Sequence, residues 1–175
     1  MTNLDAFAAS PIDQLIDEWA TMIPTLDPRS FSIQLKVYQV NLLASRIYNR
    51  LAQKFDVTNV DVDLLMVIRR DQGRKPVRPS DLWRQLELRP SAITYRIDRL
   101  FEQGLVDRTP DPSDRRALFL TLTSKGEALV AAVVGEFNAI TADRMKAVKD
   151  AGGDPEAFDK LLALYLDAWN NAPSE

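Results

Sequence analysis

Ser91, Thr94, Tyr95 and Arg96 share one six-residue stretch, and Arg99 follows within the next turn. Arg115 and Arg116 stand side by side at the end of Asp111-Pro112-Ser113-Asp114-Arg115-Arg116. Hydroxyls of this kind serve phosphates or base edges, Thr and Tyr contact a thymine methyl, and arginine takes guanine in a two-pronged fork. Paired arginines held at a loop tip can enter a narrow minor groove, where the negative potential is strongest. Taken alone, the first group reads equally as the solvated face of an amphipathic helix, and the second as a solvated hairpin. Their occurrence in one order, 20 or so residues apart, favours DNA.

Composition removes most rival chemistries. The chain has 175 residues without histidine or cysteine, so the commonest general base, metal ligand, disulfide and thiol switch are all missing. No nucleophile elbow, phosphate loop or paired-carboxylate signature occurs, and no catalytic residue, cofactor or metal is expected. The start, Met1 to Asp5, has no basic or apolar leader character, and the apolar run Ala128 to Gly135 is far shorter than a membrane span. A cytoplasmic protein is expected.

The net charge of −3 speaks superficially against a nucleic-acid partner, but its distribution reverses that. From Arg69 to Arg116 there are twelve Lys/Arg against eight Asp/Glu, a local excess of +4 within an otherwise acidic chain. Before Arg29 there are five acids and no base. The basic surface therefore lies on the segment that carries the candidate readers.

The elements that position these residues follow from periodicity and caps. Ile12, Leu15, Ile16, Trp19 and Ile23 predict a short helix over Ile12 to Met22, and Phe31, Leu35, Tyr38, Leu42 and Leu51 a long one over about Ser30 to Phe55. Thr58 or Asn59 caps the next, with Val62, Leu65, Met66 and Ile68 as its apolar residues. Ser80 is the expected cap of a short helix carrying Leu82 and Leu86, Glu87-Leu88-Arg89 is a turn, and Pro90 opens a helix whose Ile93, Ile97, Leu100 and Phe101 face the core. Gly104 stops it. Leu118, Leu120 and Leu122 alternate as in a half-buried strand, with one further strand pairing expected near Val77. Thr123 or Ser124 then caps a helix to about Lys149, and Asp154-Pro155 opens the last, with Phe158, Leu161, Leu162, Tyr165, Leu166 and Trp169. The fold class is mostly α: a winged helix-turn-helix with a two-stranded β-wing and N- and C-terminal dimerisation helices. The expected divisions are 1–57 for the arm and long helix, 58–123 for the winged helix-turn-helix and 124–175 for the C-terminal helices.

Asp81-Leu82, Ser91-Ala92-Ile93-Thr94, Asp98-Arg99-Leu100, Gly104-Leu105-Val106, Asp111 to Arg116 and Leu122 to Gly126 together resemble the MarR family of bacterial regulators. The resemblance implies a homodimer with interlocked terminal helices and two winged helices on successive major grooves of a pseudo-palindromic operator. It implies a sequence-specific transcriptional regulator, a repressor released by an aromatic acid, a phenolic or its thioester. Ser91, Thr94, Tyr95 and Arg96 would be the groove readers, flanked by Arg99, with Arg115 and Arg116 on the wing. Three positions depart from the family pattern: Arg89 where a small polar cap is frequent, Glu87 where glycine is, and Tyr95 where a basic residue is. They bear on which DNA is read. Asp98 either pairs with Arg115 or Arg116 and fixes the wing, or is merely solvated.

For the effector, Tyr38 and Arg46 stand eight apart on one side of the long helix and offer a ring and a carboxylate partner, and Trp19 or Trp83 would wall a pocket. The same aromatics serve equally as core or dimer contacts, and Arg46 as a surface ion pair. The apolar C-terminal helices carry more surface than a lone winged helix covers, which points to a homodimer. The rival reading is a winged helix that has become a protein-interaction module without DNA binding.

Overall fold

The computed structural model describes residues 11–111 and 114–172, with only the backbone given for 11 and 114–116. The chain divides into two compact units, 1–50 and 51–175.

In the first unit, helix α1 (Pro11–Met22) is followed by most of α2 (Pro28–Gln53). α2 starts two residues before the expected Ser30 because Asp27 accepts from the Ser30 amide at 3.1 Å and the Arg29 amide at 3.4 Å, which makes Asp27 the cap and gives Pro28 the first turn. The two helices meet through Trp19 and Phe31, ring centres 6.2 Å apart, and a Lys36–Asp13 bridge at 3.2 Å.

The second unit holds α3 (Asn59–Gln72), α4 (Pro79–Leu86), α5 (Pro90–Glu102), β1 (Val106–Asp111), β2 (Asp114–Leu122), α6 (Ser124–Asp150) and α7 (Pro155–Asn170). This is the expected mostly helical winged helix-turn-helix. The strands pair antiparallel from Val106–Leu122 to Pro110–Leu118, and the register shifts between Pro110 and Asp111. The pairing expected near Val77 is present, its carbonyl accepting from Leu120 N–H at 2.9 Å. Val62, Leu64, Leu65, Ile68, Leu82, Ile93, Ile97, Leu100 and Leu120 form the core, joined by Leu129, Val130 and Val133 from the first turns of α6. Leu64 takes the place expected for Met66, which is exposed.

Two further expectations are corrected. The cap of α4 is Arg78, not Ser80. An arginine side chain has no acceptor to offer a helix N-terminus, and here Asp81 instead reaches back to the Arg78 N–H at 3.2 Å. Phe101 does not face the core; it is 46% exposed, and the Arg108 guanidinium lies over its ring at 4.7 Å. Ile93, Ile97 and Leu100 already fill the buried stripe, so the next apolar position falls at its edge.

Both turns around α5 are specified by backbone geometry. Glu87 ends α4 in the left-handed region (φ 52°), where glycine is the easy choice. Gly104 takes the same region (φ 67°) after α5. There Leu105 N–H donates to Leu100 O and Gly104 N–H to Phe101 O, each at 2.9 Å, a complete Schellman stop with Leu100 and Leu105 both buried beneath it.

Candidate nucleic-acid interface

α5 has a committed inner face and an open outer one. Ile93, Ile97 and Leu100 are buried, while Ser91, Thr94, Tyr95 and Asp98 are exposed, Tyr95 to 68%. The Thr94 hydroxyl donates to Pro90 O at 3.1 Å, which leaves its oxygen free to accept from outside. Three of the groove residues expected from sequence therefore stand together at the N-terminal half of the helix. Arg89 caps that half without a side-chain hydrogen bond.

Arg96 is turned the other way. Its guanidinium donates to Asp61 Oδ1 at 2.6 Å and to Thr58 Oγ1 at 2.9 Å, at the first turn of α3. Asp61 is buried and belongs to a reciprocal cap: its carboxylate accepts from the Thr58 N–H at 2.8 Å and hydroxyl at 2.7 Å, and its own N–H donates to Thr58 Oγ1 at 3.2 Å. Burial pushes the Asp61 carboxyl up, but the hydrogen bonds from Thr58 and Arg96 outweigh it, and the net shift is below the ordinary carboxylate value. Arg99 follows the same pattern, donating to Asp56 O at 2.7 Å. The structure thus separates the expected readers into three that face outward and two arginines that tie α5 to α3 and the residues before it.

A second carboxylate, Asp71, joins α3 to α4. It accepts from Arg70 at 2.8 Å and from Gln85 at 3.1 Å, and these bonds hold its pKa down to about 2.

The wing is fastened on both flanks. From α5, Asp98 accepts from Arg108 of β1 at 2.5 Å. The side chains of Arg115 and Arg116, the partners expected for Asp98, lie outside the described residues, as do Pro112 and Ser113. From α4, the Arg78 guanidinium bonds the buried carboxylate of Asp111 and stacks over Phe119 at 5.5 Å. Sequence reasoning missed both of these arginines. The available signal was Arg78 itself, a residue type that cannot cap, standing where a cap was needed.

The effector candidates are dispersed among different neighbours. Trp83 carries Arg84 over its ring at 5.2 Å and lines a 460 Å³ recess with Glu87, Leu88, Arg89 and Pro90. Trp19 packs on Phe31, and Tyr38 and Arg46 are exposed on α2. Among the described residues, no helix is long and apolar enough to cross a membrane.

Comparison with known proteins agrees with this geometry. Residues 57–118 match the MarR family model. The transcriptional regulator PecS of Dickeya dadantii is 29% identical over 71% of this chain and 75% of its own length. The multiple antibiotic resistance protein MarR of Salmonella typhimurium is 30% identical over 53% of this chain and 62% of its own length, so the chain spans less than two thirds of that relative. The crystal structure of a MarR C80S mutant from E. coli complexed with operator DNA superposes with a TM-score of 0.58 at 21% identity, covering 86% of this chain and 96% of that one. Sequence motif, family match and winged helix coincide on the same stretch, and it is this winged helix-turn-helix segment, residues 57–118, that is similar to the MarR family.

Proposed function

We propose that this chain is a sequence-specific DNA-binding transcriptional regulator that acts as a homodimer on a pseudo-palindromic operator, a repressor released by an aromatic acid, a phenolic or its thioester. The observation that carries the reading is the outer face of α5: Ser91, Thr94 and Tyr95 are exposed together on a helix whose opposite side is locked into the core. On this reading those three residues contact bases, Arg115 and Arg116 enter the flanking minor groove, and Arg96 and Arg99 hold the helix at its working angle. The operator complex of a MarR protein with the same fold supports the binding mode. The large apolar residues exposed along α7, among them Leu161, Leu164 and Trp169, support the homodimer, because so much open apolar surface calls for a partner.

The experiment is a mobility shift on the DNA immediately upstream of the chain's own coding sequence, titrated first with salt and then with aromatic acids, phenolics and their thioesters. A retarded complex that weakens steeply with salt and dissolves with one compound class is expected. Equal retention of unrelated DNA would overturn specific binding, and a complex indifferent to every compound would overturn the effector. Substitution of Tyr38, Arg46, Trp19 and Trp83 in turn locates the effector by which variant stays bound to DNA.

A further inference from the structure

We propose that Arg78 is a positioning residue for the wing, setting the height and angle at which the tip arginines meet DNA; this rests on the DNA-binding reading above. Arg78 occupies the N-cap of α4, a position where Ser, Thr, Asp or Asn would satisfy an open amide. Its side chain makes no capping bond. It goes instead to Asp111, whose side chain is only 1% exposed, while its plane covers Phe119 at 5.5 Å. Asp111 is the last residue of β1 and sits at the register shift of the hairpin, paired with Asp114. A carboxylate buried at the root of the tip is costly unless its charge is matched, and Arg78 supplies matching charge from the start of α4, tying the end of β1 to that helix. Arg116 is two residues beyond Asp114.

The second fastening works from the other side with the charges exchanged. Asp98 of α5 supplies the acid and Arg108 of β1 the base, whereas Arg78 of α4 supplies the base and Asp111 of β1 the acid. Neither pair can be satisfied by the other's partner without bringing like charges together, so the wing has one register against the two helices.

The test compares wild type, Arg78→Ala, Arg78→Lys and Asp111→Ala, each also in an Arg115→Ala/Arg116→Ala background. Two quantities are read: hydrogen exchange of the wing amides from Arg108 to Leu120 without DNA, and the salt slope of binding to the upstream fragment. Arg78→Ala is expected to speed exchange at the wing and to lower the slope by about one to two phosphate contacts in the wild-type background. In the background that lacks the tip arginines it should lower the slope no further. Arg78→Lys keeps the charge but loses the fork and the stacking plane, and should recover part of the effect.

An equal slope loss in both backgrounds overturns the proposal in favour of a direct phosphate contact by Arg78. A lower melting temperature with an unchanged slope overturns it in favour of a plain stability role. Unchanged exchange at the wing overturns it whatever the fragment does. If the wild-type chain binds no fragment while Arg78→Ala still speeds wing exchange, the DNA reading falls and the fastening of the wing stands.

Discussion

The Arg96 guanidinium meets the Asp61 carboxylate at 2.6 Å, so the middle of α5 and the first turn of α3 are joined by a largely desolvated ion pair. The residues that touch DNA on the proposed reading and the residues that aim them are thereby different sets on one helix.

Arg96→Ala should cost about 2 kcal/mol of folding stability, the scale of a lost hydrogen bond to a charged group, because the buried Asp61 keeps its two bonds from Thr58 and has Arg99 at 4.0 Å. Urea unfolding measures it. A loss below about 0.5 kcal/mol, the range of ordinary surface changes, would show that Arg96 has no structural load and restore it as a groove reader.

Thr94→Ala and Tyr95→Ala should behave in the opposite way. Both side chains are exposed, so unfolding should move by no more than about 0.5 kcal/mol. Affinity for the upstream fragment should fall about tenfold or more, as expected when a base contact is lost. Fragment binding by the two variants indistinguishable from wild type would remove the outer face of α5 from the interface.

Acid should loosen this unit through Asp61 and Asp71. Both carboxyls are more acidic in the folded chain than the ordinary 3.8, so the folded state binds fewer protons, and their contribution is complete above that value. It is lost as pH falls through the folded values, for Asp71 between 3.8 and about 2. Urea midpoints followed from pH 6 to 2 should drop in that window, and Asp71→Asn should flatten the drop. A profile for Asp71→Asn parallel to wild type would contradict the assignment.

Glu87→Gly should stabilise the turn before α5 by about 0.5–1 kcal/mol, the left-handed penalty relieved less the added entropy of glycine. The change is read as a rise in melting temperature. A fall would mean that the Glu87 side chain makes a compensating contact.

Leu161→Glu combined with Leu164→Glu on α7 should convert a dimer into a monomer in light scattering, since both side chains are about two-thirds exposed in the single chain. A wild-type chain that already scatters as a monomer would exclude the assembly itself.

The helices, the wing and the stops around α5 were legible because each is written locally: Pro90 and Gly104 bracket α5, and Thr58 stands one residue before α3. The division of labour within α5 was not. Ser91, Thr94 and Tyr95 point outward by helical spacing alone, but Arg96 flanks the apolar stripe, and its long side chain finds Asp61 35 residues upstream. Asp61 was half legible: three residues after Thr58 and just ahead of the apolar run beginning at Val62, it has capping-box spacing, but that spacing does not say that the carboxylate is buried. Phe101 was misplaced because periodicity gives direction without saying how wide the neighbouring surface is. Arg78 was overlooked because Ser80 satisfied the capping rule by residue type.

Gly126 lies so close to the Leu105 carbonyl that an added Cβ would sit 2.2 Å from its oxygen. Around that contact Thr123 N–H donates to Leu105 O at 3.2 Å, the Thr123 hydroxyl to Gly104 O at 2.7 Å and the Lys125 ammonium to Gln103 O at 2.8 Å. The start of α6 and the exit of α5 are therefore welded into a carpenter's square with no slack at its corner. A tilt of the 27-residue arm α6 would carry α5 with it, and in the homodimer proposed above the distance between two such squares would be set at the far ends of their arms.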